Sequence, residues 1–171
     1  GGVAYKDAWE FRPPGIFWAN YLAFLLFGRA ELSVRLLDLI GLAAGSAALF
    51  VLLRDRFASP RAGILASLSY PLIYVPCGHW VTSQCESFQA PLLLWSLALW
   101  PLADDRAPSL KHCYLSGFLS GAAVLFKTPA IFFPLLLLVD RLLLDRRLGK
   151  EGRQPPLWAT AGGIVSLPLA M

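Results

Sequence analysis

Charged residues are kept out of long tracts of this chain and gathered in the short segments between them, and that alternation limits the fold more than any other feature. Apolar runs cover residues 36–53, 62–76, 88–102, 112–126, 130–144 and 157–171, with Ile16 to Phe27 as a shorter run ahead of them. Leu36 to Leu53 is long enough to cross a bilayer as a helix. Ile16 to Phe27 makes a helix of only about 18 Å against a hydrocarbon core of roughly 30 Å, so we expect it along the membrane surface. The chain is 57% hydrophobic and 15% charged, with a mean hydropathy of +0.58, where a soluble domain carries roughly 25% charged residues. The reading is an all-α integral membrane protein: a polytopic transmembrane helix bundle, residues 36–171, preceded over residues 1–35 by the end of an extracytoplasmic loop and a juxtamembrane helix. Because the chain starts at Gly1, has Met171 as its one methionine, and ends within a run too short to span, it reads as a fragment.

The net charge of +4 comes from Lys and Arg in the short loops, so it speaks to membrane orientation and not to nucleic acid. Loops rich in Lys and Arg stay cytoplasmic. With the first short helix not spanning, the loops at 54–61, 104–112 and 141–153 share one side, and residues 1–35, 77–87 and the turn at Lys127 share the other. A lysine at the bilayer centre is costly and Thr128-Pro129 suits a turn, so two short helices are expected around Lys127 instead of one long one. Asp7, Glu10, Arg12, Arg35, Glu86 and Lys127 then meet at one membrane face. Arg35 and Asp38, three apart, are expected to pair, and the glycine spacings Gly41/Gly45 and Gly117/Gly121 are expected to pack helices closely. Cys77, Cys85 and Cys113, even with His79 and His112, show no metal-ligand spacing, so no metal site is assigned; a Cys77–Cys85 disulfide stays open in an oxidising compartment.

Within the first segment, Trp9-Glu-Phe-Arg-Pro-Pro-Gly15 sets charge directly against a membrane-seeking run. Pro13 and Pro14 forbid helix before them and permit it after them. One reading is an interfacial anchor, with Trp9, Phe11, Phe17, Trp18 and Tyr21 as an aromatic belt and Arg12 reaching to headgroups. The other is the edge of an anion site, with Arg12 aimed at a phosphate and Asp7 and Glu10 orienting it or handling protons. Glu86 has a comparable pair of readings, a helix N-terminal acid or a member of the site; Lys127 is an interfacial lysine or a phosphate ligand.

The order of these motifs resembles the polyprenyl-phosphate-dependent glycosyltransferases of the GT-C class, in particular the bacterial relatives of protein O-mannosyltransferases and of the lipid A aminoarabinose transferase. The resemblance runs over Tyr5-Lys-Asp7, Trp9 to Gly15, Leu26-Phe-Gly28 and Val34-Arg35. It continues in Gln84-Cys-Glu86-Ser-Phe88, like the family's second outer-face acidic motif, and in Gly117 to Pro129, like its glycine-rich helix ending in lysine. Arg12 stands where the family commonly has lysine, and Glu10 where aspartate is common. The resemblance implies a multi-pass enzyme of the cell membrane that takes a sugar from a polyprenyl-phosphate donor at the extracytoplasmic face. The acceptor would be a glycan, lipid or protein. Arg12, Lys127 and Lys6 would bind the donor phosphate; Asp7, Glu10 and Glu86 would support; the principal catalytic aspartate is expected upstream of Gly1. No cofactor beyond the lipid-linked donor is implied, a divalent metal stays open, and the partners are membrane lipid, donor and acceptor, without nucleic acid. A transporter or flippase for a lipid-linked or anionic substrate is the alternative, and a non-catalytic scaffold a third.

Overall fold

The structure, a computed structural model, describes residues 13–80, 83–100, 109–148 and 157–169. All regular structure among them is helical: α1 (Pro14–Phe27), α2 (Glu31–Phe57), α3 (Pro60–Tyr74), α4 (Cys85–Leu99), α5 (Leu110–Val124), α6 (Phe132–Leu148) and α7 (Leu157–Leu169), with 3-10 turns over Val75–Trp80 and Thr128–Ile131.

Proline at the first helical position starts α1, and Gly28 ends it at φ +86, a left-handed conformation that strains any side chain. The Gly28 N–H caps the Phe24 carbonyl at 3.0 Å, and the buried Ser33 hydroxyl donates to the Gly28 carbonyl at 2.6 Å, so the chain turns directly into α2. There the structure starts the second helix ahead of the apolar run at 36–53. Helix α2 already begins at Glu31, and Arg35 pairs with Glu31 one turn back at 2.8 Å. Arg35 therefore does not pair with Asp38, which bonds to α3 instead. At the other end α2 takes in Arg54 and Arg56, where positive charge suits a helix C-terminus.

With 27 residues, α2 is about 40 Å long. Among the described residues it is the one helix long and apolar enough to cross a membrane, while Pro14–Phe27 and Thr128–Asp140 are shorter apolar helices. The helices pack α2 against α3 and α4, α4 against α5, and α5 against α7. Much of the interior is small: Ala48, Ala123, Ala159, Ser96, Ser116 and Ser120 are buried alongside a few large apolar residues, while Leu65, Leu72, Ile73, Phe132 and Leu136 are exposed. Small residues bring backbones close. A Cβ on Gly117 would overlap the Thr160 carbonyl oxygen, and one on Gly121 that of Ile164, so this pair forms the α5–α7 seam. Gly41 lies on the Pro91 ring of α4, and Gly45 beneath the Tyr70 ring of α3. Across α4 and α5, Ser96 and Ser116 each donate a hydroxyl to the other's carbonyl at 2.8 Å. At the far end the Trp100 indole donates to Asp140 of α6 at 3.0 Å. The Cys77–Cys85 disulfide that the sequence left open is not formed.

Candidate functional site

Where α5 ends, its last carbonyls need donors, and where α1 begins, its first N–H groups need acceptors. The two ends satisfy each other: the Gly15 N–H donates to the Leu125 carbonyl at 2.8 Å. Only glycine permits that approach, since a Cβ there would lie 2.7 Å from the same oxygen and 3.0 Å from the Phe126 ring. Beneath this junction Ile16, Ala19 and Phe88 form a buried cluster, with Phe17, Val34, Leu37, Cys85 and Phe126 against it. Phe88 and Phe126 stack with centroids 6.0 Å apart. The proline-glycine lead-in, the first turn of α4 and the end of α5 thus share one hydrophobic footing.

On that footing stands the ion pair of Glu86 and Lys127, side chains 41 positions apart in the sequence. Glu86 sits in the first turn of α4, a position that the helix dipole favours for an acid. Lys127 lies in the extended residue between α5 and the 3-10 turn, where Pro129 prevents the helix from running on. The hydrogen bond from Lys127, with help from a backbone N–H, holds the Glu86 carboxyl below the ordinary carboxylate range. Glu86 in turn raises the Lys127 ammonium. Both remain charged near neutrality. Lys127 is 48% exposed and Glu86 58%, so the pair is open to a ligand. An open groove of about 590 Å³ is walled by Trp18, Leu22, Ile40, Trp95, Phe88 and Phe126, the last two close in the chain to Glu86 and Lys127.

Of the charged residues expected to converge, Glu86 and Lys127 are in contact, and Arg35 is engaged with Glu31 on the exposed face of α2. Lys6, Asp7, Glu10 and Arg12 lie outside the described residues. Among the described residues no three His, Cys, Asp or Glu side chains gather as metal ligands.

Sequence reasoning missed Asp38. It is 3% exposed, its Oδ2 accepts the Tyr74 hydroxyl at 2.6 Å, and its Oδ1 is buried with no partner among the described residues. Its signal was present: an acid in the second turn of a strongly apolar helix is a functional candidate by default, and assigning it to Arg35 concealed that.

No curated protein and no solved structure matches this chain. The family model described as dolichyl-phosphate-mannose-protein mannosyltransferase matches residues 11–171, which includes the lead-in to α1, the Glu86 turn and the Lys127 turn. The chain therefore belongs to the dolichyl-phosphate-mannose-protein mannosyltransferase family, whose members are membrane glycosyltransferases.

Proposed function

We propose that this chain forms the donor-phosphate side of a polytopic enzyme of the cell membrane, which moves a sugar from a polyprenyl-phosphate donor to a glycan, lipid or protein acceptor at the extracytoplasmic face. The observation that carries the proposal is the Glu86–Lys127 pair at the junction of α1, α4 and α5. Three separate sequence motifs meet there, and one of them brings an accessible cation. An interior rich in serine, alanine and glycine under an exterior of leucine, isoleucine and phenylalanine supports a helix bundle set in lipid.

In the reaction the acceptor oxygen, losing its proton, bonds to the sugar's anomeric carbon as that carbon's bond to the phosphate oxygen breaks, and negative charge develops on the departing lipid phosphate. Lys127 meets that charge. An ammonium has three donors, so Lys127 can hold Glu86 and a phosphate oxygen together. A carboxyl held below its ordinary range is a weaker base, which makes Glu86 the group that aims Lys127 and not the one that moves the proton. Arg12, directly before Pro13, is assigned the second phosphate contact, with Lys6 beside it and Asp7 and Glu10 supporting. The groove is assigned to the first isoprene units, because its walls Phe88 and Phe126 are close neighbours in the chain of Glu86 and Lys127.

The test is transfer from a labelled polyprenyl-phosphate sugar in membranes holding the complete protein, comparing the native form with Lys127→Ala, Arg12→Ala and Glu86→Gln at matched expression. Lys127→Ala and Arg12→Ala should each lower kcat/KM for the donor about a hundredfold, in line with the loss of a group that stabilises a leaving group. Unchanged transfer in both variants would remove the site from this end of the bundle.

A further inference from the structure

We infer that Gln89 is a further binding residue of the same site, its amide N–H donating to a phosphate oxygen of the lipid-linked donor from the membrane side; this rests on the donor-site reading above.

Two contacts fix the register of α4 against α5. Ser96 bonds to Ser116 and Glu86 pairs with Lys127, so the two helices run antiparallel. Seven residues back from Ser96 is Gln89, and seven on from Ser116 is Ala123. Seven residues are close to two full turns, so Gln89 shares the face of α4 that Ser96 turns to α5. It therefore lies between the two contacts, about 4.5 Å along the axis from Glu86 and opposite the last turn of α5.

Gln89 is 9% exposed. The buried Ser33, Ser87, Ser96, Ser116 and Ser120 each donate to a carbonyl, whereas the Gln89 amide has no hydrogen-bond partner among the described residues. Helix α5 offers it little. Ala123 presents a buried methyl, and the carbonyls of that turn are already taken, Ala122 by the Leu125 N–H, Ala123 by the Phe126 N–H and Leu125 by the Gly15 N–H. Nor is the amide sealed off: the buried side-chain atoms that are both enclosed and unpartnered among the described residues are Asp38 Oδ1 and Ser83 Oγ, so the Gln89 amide keeps an opening. The Cα–Cβ bond of a helical residue tilts toward the helix N-terminus, which here is the end that carries Glu86 and meets Lys127. A buried amide without a partner weakens the fold. A phosphate held by Lys127 gives its N–H an acceptor.

Phosphate is the part of the donor within reach. With the isoprenoid chain in the membrane and the sugar outside it, a side chain one turn membrane-ward of Glu86 meets the phosphate from its lipid side. A neutral N–H there makes a charge-assisted hydrogen bond without bringing a second charge into the bundle.

Binding and unfolding of the complete protein in detergent separate this role from a structural one. The probes are a polyprenyl-phosphate sugar, the same polyprenyl phosphate without the sugar, and the polyprenol without the phosphate. The variants are Gln89→Met, of nearly the same length without the amide, Gln89→Leu, and Lys127→Ala. Gln89→Met should weaken both phosphate-bearing probes about tenfold and leave polyprenol binding native. Its unfolding midpoint should hold or rise, because a buried group without a partner has been removed. Gln89→Leu fills the space with a different shape and should repeat the pattern if the thioether packs badly. A lowered midpoint in both Gln89 variants would show that the partner of the amide is the protein itself, and weakening confined to the sugar-bearing probe would show that it reads the sugar. Either result overturns the inference, as does native binding of all three probes by Gln89→Met while Lys127→Ala weakens the phosphate-bearing pair. Native binding of those two probes by Lys127→Ala counts against the donor-site reading and takes this inference with it.

Discussion

The contact between Gly15 and Leu125 is where the smallest change should have the clearest effect. In Gly15→Ala the new methyl would stand 2.7 Å from the Leu125 oxygen and 2.8 Å from its carbonyl carbon, both backbone atoms that no rotamer change can move away. An ordinary carbon–oxygen contact needs several tenths of an ångström more, so α1 and α5 must separate by about 0.5 Å or more. That separation lengthens the 2.8 Å Gly15–Leu125 hydrogen bond beyond useful geometry. Pro13 and Pro14, with their φ fixed, leave the chain before Gly15 little room to absorb the shift. Overpacking of this kind costs about 1–3 kcal/mol and the lost hydrogen bond about 1 kcal/mol more. Alanine's better helix propensity returns at most about 1 kcal/mol, and less in a first turn than in a helix interior. The net effect is destabilising by about 1–3 kcal/mol. Two measurements check it on the complete protein: thermal unfolding in detergent, where the midpoint should fall by several degrees, and donor transfer, where kcat/KM should fall because the lead-in no longer sits against the Lys127 turn. Gly15→Ala with native unfolding and native transfer would refute the close docking of α1 on α5.

The α5–α7 seam should be equally intolerant but for a different purpose. Gly121→Leu drives a side chain into the Ile164 backbone and should lower the unfolding midpoint more than Gly15→Ala does, a comparison made by thermal unfolding of both variants. The ion pair has a defined pH range. The Glu86 pKa is depressed, so its contribution is present above the ordinary carboxylate value and fades as pH falls through the lowered one; the Lys127 pKa is raised, so its contribution is present below the ordinary lysine value and fades as pH rises through the raised one. Between about pH 5 and pH 10 the pair is constant. Transfer profiles of the native protein and of Glu86→Gln over that range should differ in height and not in shape; an inflection that disappears in Glu86→Gln would show that Glu86 carries the titrating proton.

Much of the helical content was legible because burying or lipid-exposing an apolar run leaves few backbone solutions, and the breakers are local. Gly28 ends α1 and Pro129 interrupts the chain after Lys127 for reasons contained in their own residues. Gly117 and Gly121 announced a close helix contact, though not that α7 would supply it. The start of α2 was less legible, since a charged stretch reads as a connector until Arg35 finds Glu31 one turn away. The partner of Asp38 was not legible at all: Arg35 lies three positions away and Tyr74 36 positions, and only the packing of α3 on α2 makes the distant one nearer.

By itself, then, the sequence determined the class of the protein and the presence of acid, cation and proline-glycine motifs, because composition and local backbone preference act within a few residues. The tertiary structure decided which charges meet. It joined Glu86 to Lys127, separated Arg35 from Asp38 and set α1 on the end of α5, because pairing at those distances depends on which helix ends are brought together. In a bundle of helices that is governed by the small residues at their crossings, Gly15, Gly45, Gly117 and Gly121, whose missing side chains let one backbone come against another.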